Sequence, residues 1–342
     1  MIKKLIILIA VLFSSLHADT FEREKILISA QDAINLIGSD NIMFVSGDSQ
    51  DLYRLGHIKG SAQMYAYDLH QSDIMGKMSC PPLFTCSDKA SNYIGSKGID
   101  NNTLIIAYDS HNGINASGVY AYFKSYGHKN IRILNGGLNA IRKLDPNQKI
   151  YDSIYSELQN QDEAMQEEIY SRLSDVEAIL LFLKGEENNI APKTYTINED
   201  SLDYSRVAGK LAVKYAMQDI LKNGEKSNFI IIDSRTIEEI IGEKKVSNVV
   251  RGGHIPGAIF IEISHLYDSN NSLSFKNKQE LADLFESYGV TKDKTIYAYC
   301  HVGSEKSSKI VTALEMLGYE NAKIYTGSWN EWGNDLSLPI RR

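Results

Sequence analysis

Of the three cysteines in the chain, Cys300 has the neighbours that suggest chemistry. It sits in AYCHVGSEKSS, residues 298–308, after a short apolar run and before a glycine and a cluster of small hydroxyl residues. Gly303 lets the backbone turn tightly, and a tight turn can aim successive N–H groups at one point, forming an anion nest. A helix expected to begin near Ser304 adds the positive end of its dipole. Both effects favour thiolate over thiol, so a depressed Cys300 pKa is expected. A thiolate ringed by donors is a nucleophile, and the same donors can hold the charge of a covalent intermediate. The plainer alternative is a small buried hydrophobe.

The other two cysteines stand six apart in SCPPLFTC, around a Pro-Pro turn. A Cys80–Cys86 disulfide is expected. With no His or further Cys nearby, no metal site is expected. The N-terminus has the layout of a secretory signal peptide over residues 1–18: basic MIKK, the nine-residue apolar run LIILIAVLF, then small residues near Ala18. Its uncleaved alternative is a membrane anchor. No other stretch is apolar enough to span a bilayer. A periplasmic or secreted protein without stable membrane insertion is therefore expected, in an oxidising compartment where an unpaired Cys300 is a liability unless it is used. The chain has 342 residues, 43% of them apolar and 23% charged, with net charge −7. This suits two globular domains and argues against nucleic acid or an anionic membrane as partner.

An internal repeat places the cysteine. GHIKGSA (56–62) recurs as GHIPGAI (253–259), and YGHKNIRILNGGL (126–138) as LGYENAKIYTGSW (317–329). Asp109 ends the apolar run NTLIIAYD, and Cys300 ends KTIYAYC. Each lies eighteen residues before the glycine of its second motif, Gly127 or Gly318. Asp109 thus takes in the first copy the place that Cys300 takes in the second.

Each copy reads as alternating strands and helices. In the second, FIIIDS is a strand, NKQELADLFESYGV an amphipathic helix, KTIYAYC a strand, SSKIVTALEMLGY a helix and NAKIYTG a strand. That alternation predicts an α/β fold of two tandem domains, each a parallel sheet flanked by helices. Cys300 then lies at the carboxyl end of a strand, where open α/β sheets bind ligands. The segment 146–200 between the copies carries Met165, Ile169, Leu173, Val176, Leu180 and Leu183 at helical spacing, which predicts a long helical connector packed on the domains.

These residues resemble a known family. DSR, GHIPGA, the YC-x-x-G-x-x-x-S loop, LGY and YTGSWNEW are similar to the catalytic half of a two-domain rhodanese, a thiosulfate or 3-mercaptopyruvate sulfurtransferase. GHIKGS, IAYD and YGHKNIRILNGGL resemble its inactive first half. The resemblance covers about residues 25–145 and 205–336 and implies an inactive domain over 23–145 and a catalytic domain over 201–342. It implies that Cys300 takes up a sulfane sulfur as a persulfide. A thiophilic acceptor (cyanide, a thiol or a thioredoxin) collects that sulfur in a second, ping-pong step. No metal or organic cofactor is implied. The N–H groups of His301, Val302, Gly303, Ser304 and Glu305 would cradle the persulfide, and Arg235 matches the family's anion-binding arginine. Asp233, His254 and Trp329 fall in structural elements. The loop departs from both familiar types of donor loop: Glu305 should repel a dianion, whereas His301 and Lys306 should attract one. The donor, polysulfide included, stays open.

Two other readings compete. Cysteine phosphatases need Cys-x5-Arg, and that position is Lys306, a point charge that cannot replace a guanidinium fork. A non-catalytic sulfur carrier with a degenerate site is the other, with Asp109 in the first copy and Glu305 in the second loop as its grounds.

Overall fold

The computed structural model describes residues 23–110, 112–145, 147, 149, 180–181, 190–246, 248–270 and 273–342. The expected signal segment lies outside them, as do Met165, Ile169, Leu173, Val176 and Leu183 of the connector.

Two five-stranded parallel sheets form the frame. The first contains β1 (Leu27–Ile28), β2 (Ile42–Ser46), β4 (Ala62–Gln63), β5 (Leu104–Tyr108) and β6 (Ile131–Leu134), in the order β1-β6-β5-β2-β4. Beside it, β3 (His57–Ile58) pairs antiparallel with β7 (Leu180–Leu181). Leu180 is therefore strand, not part of the expected helix: its neighbour is the edge at His57–Ile58. The second sheet contains β8 (Val207–Ala208), β9 (Phe229–Asp233), β10 (Ile259–Phe260), β11 (Thr295–Tyr299) and β12 (Ala322–Tyr325). Its order, β10-β9-β11-β12-β8, is the first sheet's order read from the other edge. Asp109 and Cys300 directly follow the middle strands β5 and β11.

The middle strands are apolar on both faces because helices cover both. IIAY of β5 and IYAY of β11 are buried throughout. In register, Ile296 lies opposite Ile230 on one side and Ala322 on the other. Helix α1 (Ile114–Ser125) follows Asp109 and helix α2 (Lys306–Met316) begins six residues after Cys300. Nearly every residue of both is buried, because each packs on its own sheet and on the other helix, joining the two domains. Their sequences consequently lack the polar face of an ordinary surface helix. Cys80 and Cys86 are bonded to each other, with Cα atoms 5.1 Å apart.

Candidate active site

The short helix α3 (Ser328–Trp332) holds Cys300 in place through main-chain contacts. Trp329 N–H donates to the Cys300 carbonyl oxygen (3.0 Å) and Asn330 N–H to that of His301 (2.9 Å). The hydroxyl of Ser328 accepts from Cys300 N–H (3.2 Å) and donates to the Tyr325 carbonyl oxygen (2.8 Å). Ser328 does this with φ +49°, a conformation uncommon for a non-glycine residue. The GSWNEW element thus grips the loop that carries the sulfur.

Cys300 is wholly buried and is the one free cysteine among the described residues. Its Sγ donates to the Val302 carbonyl oxygen (2.7 Å) and lies 3.4 Å from Ser307 Oγ. Burial and, next, the Glu305 charge push the thiol up to about 11. This corrects the expected depression. The Val302 carbonyl oxygen faces the sulfur, and the Glu305 charge outweighs that of Lys306. Helix α2 starts at Lys306 rather than near Ser304, so its positive end also stands farther off. The resting site holds a thiol.

The anion cradle is nonetheless visible, in the first domain. The carboxylate of Asp109 accepts hydrogen bonds from the N–H groups of Gly113 and Ala116, both at 2.9 Å. These are the fourth and seventh residues after Asp109; their counterparts after Cys300 are Ser304 and Ser307. The first-domain loop therefore holds negative charge on main-chain N–H groups at the positions equivalent to Ser304 and Ser307. Of the five expected cradle residues, Gly303 is already engaged, its N–H donating to the Thr326 carbonyl oxygen at 3.2 Å. The N–H groups of His301, Val302, Ser304 and Glu305 have no protein acceptor among the described residues. Gly303 is also packed so closely on Tyr325 and Thr326 that a Cβ would collide with their backbone.

Arg235 does not face this cradle. It is 2% exposed and its Nε and Nη2 bind the two Asp233 carboxylate oxygens at 3.0 and 2.6 Å. Nη2 also donates to the Gly253 carbonyl oxygen (2.7 Å), and the guanidinium lies 4.4 Å from the Trp329 ring centre and 5.5 Å from that of Tyr299. Burial opposes the charge, and Asp233 outweighs it, holding the guanidinium above its ordinary range. The expected role as anion grip is corrected to that of a tie between β9, the GHIPGA turn and α3. His254, whose Nδ1 meets the Ile240 carbonyl oxygen at 3.0 Å, braces the same turn.

The mouth of the site contains residues that the sequence did not single out. The segment 65–70 of the first domain brings Tyr65, Tyr67 and His70 over the Cys300 loop. The Tyr67 and His301 rings stack with centres 6.3 Å apart, and Tyr65 and Tyr67 with centres 6.0 Å apart. Burial, then the charge of Glu305, pushes both phenols up. Burial drives His301 and His70 down to about 4, so both imidazoles are neutral at ordinary pH. Both His301 nitrogens, His70 Nε2 and Ser304 Oγ are buried without a partner. Glu239, on the turn Ile237–Ile240 and 7% exposed, lies 4.0 Å from Lys306 Nζ. Burial pushes Glu305 up to about 7, with Lys306 opposing and Glu239 adding a smaller push. The loop residues 300–306 expected from the sequence are thus together, and Arg235 is outside them. The one local signal for the missed aromatic wall is MYAYDLH, directly after the first copy of the GHI motif.

A rhodanese-like domain model matches the chain twice, over residues 29–144 and 216–335. The chain belongs to the rhodanese-like family. Curated relatives include a protein of Mycobacterium leprae named "Putative thiosulfate sulfurtransferase", 26% identical over 325 residues, 93% of this chain and 98% of the relative. A Haloferax volcanii protein of the same name is 29% identical over 73% of this chain and 72% of its own length. The "Sulfur carrier protein TtuD" of Thermus thermophilus is 26% identical over 85% of this chain and 87% of its own. Among solved structures, the anaerobic ergothioneine biosynthesis enzyme of Chlorobium limicola, in complex with trimethyl histidine, superposes with TM-score 0.69 at 17% identity, over 94% of this chain and 70% of that one. That likeness is one of fold.

Proposed function

We propose that this member of the rhodanese-like family is a sulfurtransferase working through a persulfide on Cys300, with thiosulfate, or in second place 3-mercaptopyruvate, as donor. The observation that carries the reading is the equivalence of the two loops: the first holds the Asp109 carboxylate on main-chain N–H groups, and the second presents a thiol at that place. With thiosulfate, Cys300 Sγ attacks the outer sulfur, the S–S bond breaks and sulfite leaves with the electron pair. The N–H groups of Ser304, which has no protein acceptor among the described residues, and of Ser307, which already bonds the thiol, then hold the charge of the outer sulfur. In the second step cyanide or a thiolate attacks that sulfur and Cys300 departs as thiolate, taking up a proton. The chemistry is complete with the protein's own sulfur.

Thiocyanate formation from cyanide tests this, with each donor offered separately and polysulfide alongside. Turnover that disappears in Cys300→Ser supports the reading. Equal turnover in that variant overturns it. A second reading, a sulfur carrier that loads once and hands its sulfur to a dedicated partner, is favoured by the complete burial of Cys300 and its raised thiol. A single loaded sulfur without turnover would select it. Phosphate-ester hydrolysis is not supported: Lys306 stands where a guanidinium would be needed and leans on Glu239.

A further inference from the structure

The charges around Cys300 do not balance as an anion-binding mouth should. Asp233 engages Arg235, and Lys306 leans on Glu239 at 4.0 Å. Among the described residues the Glu305 carboxylate has neither hydrogen-bond nor ion-pair partner, although it is half-buried. A carboxylate withdrawn from water with only the through-space charge of Lys306 in its favour, and Glu239 against it, is unfavourable, and a ligand can relieve it. From the other domain the Tyr65 and Tyr67 phenols feel the Glu305 charge, as they do that of Asp68, and the two rings stack with centres 6.0 Å apart. Stacked aromatic faces next to a carboxylate attract cations. The neutral His301 ring, stacked on Tyr67 with both nitrogens unpartnered, and the wholly buried, unpartnered Ser304 Oγ add uncharged polar groups in the stretch of loop from Cys300 to Glu305.

We propose that the mouth of the Cys300 site is a subsite for a cationic sulfur acceptor, a small thiol bearing an ammonium or similar positive group. The positive group sits between Glu305 and the Tyr65 and Tyr67 rings, and the thiol reaches the outer sulfur of the Cys300 persulfide. The proposal rests on the persulfide reading above. In the step it describes, the acceptor thiolate forms a bond to the outer sulfur and the Cys300 S–S bond breaks. The electron pair goes to Cys300 Sγ, which takes the proton the acceptor thiol gave up. The products are the acceptor persulfide and the Cys300 thiol, with no net oxidation.

The full chain is treated with polysulfide, freed of excess and weighed by intact mass, which should show one added sulfur that Cys300→Ser lacks. The loaded protein is then mixed with cysteamine, 2-mercaptoethanol or 3-mercaptopropionate, and persulfide release is timed and corrected for each acceptor's thiolate fraction. Cysteamine should outpace 3-mercaptopropionate by about tenfold or more, as expected for one unscreened charge at short range, with 2-mercaptoethanol between. Glu305→Gln and, independently, Tyr67→Leu should each shrink the cysteamine-to-mercaptopropionate ratio severalfold. Equal rates, a faster anionic acceptor, or an unchanged ratio in both variants overturns the subsite while leaving the persulfide standing. Failure to load sulfur overturns the persulfide reading and the subsite with it.

Discussion

Lys309 of α2 crosses the domain interface and donates from Nζ to the Asn112 carbonyl oxygen, 2.6 Å away, inside the first domain's copy of the active-site loop. Its ammonium lies 4.7 and 4.6 Å from the Tyr267 and Phe275 ring centres, and the Asp109 charge acts on it. The second domain thus fills the loop that carries Asp109 at the position where its own loop carries Cys300. The position equivalent to Lys309 on α1 is Gly118, and there the geometry is reversed: a Cβ would overlap the Ser304 carbonyl oxygen. One member of the pair fills the Asp109 loop and the other leaves room for the Cys300 loop.

Burying that ammonium has a pH signature. Burial pulls Lys309 down to about 7, with Asp109 opposing, from an ordinary value of 10.5. Between those values the unfolded chain binds more protons than the folded one, so this group's contribution to stability rises with pH from about 7 toward 10 and is constant below. The neighbours facing it are Asp109, with Asp48 behind it, and the Tyr267 phenol. Urea midpoints of wild type and Lys309→Met at pH 6, 7.5 and 9 should show the wild type gaining on the variant as pH rises. Parallel curves would contradict the assignment.

The glycine makes the opposite kind of prediction. Gly118→Ala must push the Ser304 backbone, and with it the loop that carries Cys300. Overpacking of this sort costs about 1–3 kcal/mol, and sulfur transfer should fall by more than the loss of folded protein explains. Urea denaturation together with turnover per folded molecule checks both. An active, equally stable Gly118→Ala would mean that the loop has slack there.

Arg235 separates a structural tie from a ligand grip. Removing one partner of a buried ion pair strands the other and costs about 3–5 kcal/mol, so Arg235→Ala should lower the urea midpoint sharply. Arg235→Lys should rescue only part, since an ammonium cannot repeat the two-pronged bond to Asp233. If Arg235 gripped the donor, its loss would instead raise the donor KM at nearly unchanged stability.

The repeat, the parallel sheets and the place of Cys300 were legible because they depend on local pattern: apolar runs such as TIYAY, amphipathic spacing, and matched intervals between motifs. Arg235 was misread because its environment is assembled from afar, with Gly253 and Trp329 as well as the nearby Asp233. Tyr65, Tyr67 and His70 escaped notice for the same reason: they belong to the other domain and reach the Cys300 loop, Tyr67 against His301, through the packing of α1 on α2. The depressed thiol pKa was inferred from a helix end and a turn, which are local. The burial and the neighbouring Glu305 that raise it are properties of the closed site.

That raised thiol yields the sharpest test of the electrostatics. With Cys300 pushed up to about 11 by burial and by Glu305, little thiolate exists at pH 8, and alkylation by iodoacetamide should be slower than for a free cysteine. Its rate should keep climbing to the most alkaline pH at which the fold survives. Removing the Glu305 charge favours the thiolate, so Glu305→Gln should shift the rate profile to lower pH and speed alkylation at pH 8.5. Burial remains in the variant, so the profile should stay above that of a free thiol. The neutral amide reagent keeps reagent charge out of the comparison. A wild-type profile that levels off near pH 7 would show that the loop opens and solvates Cys300 in solution. An unshifted Glu305→Gln profile would show that the carboxylate is too well screened to govern the sulfur.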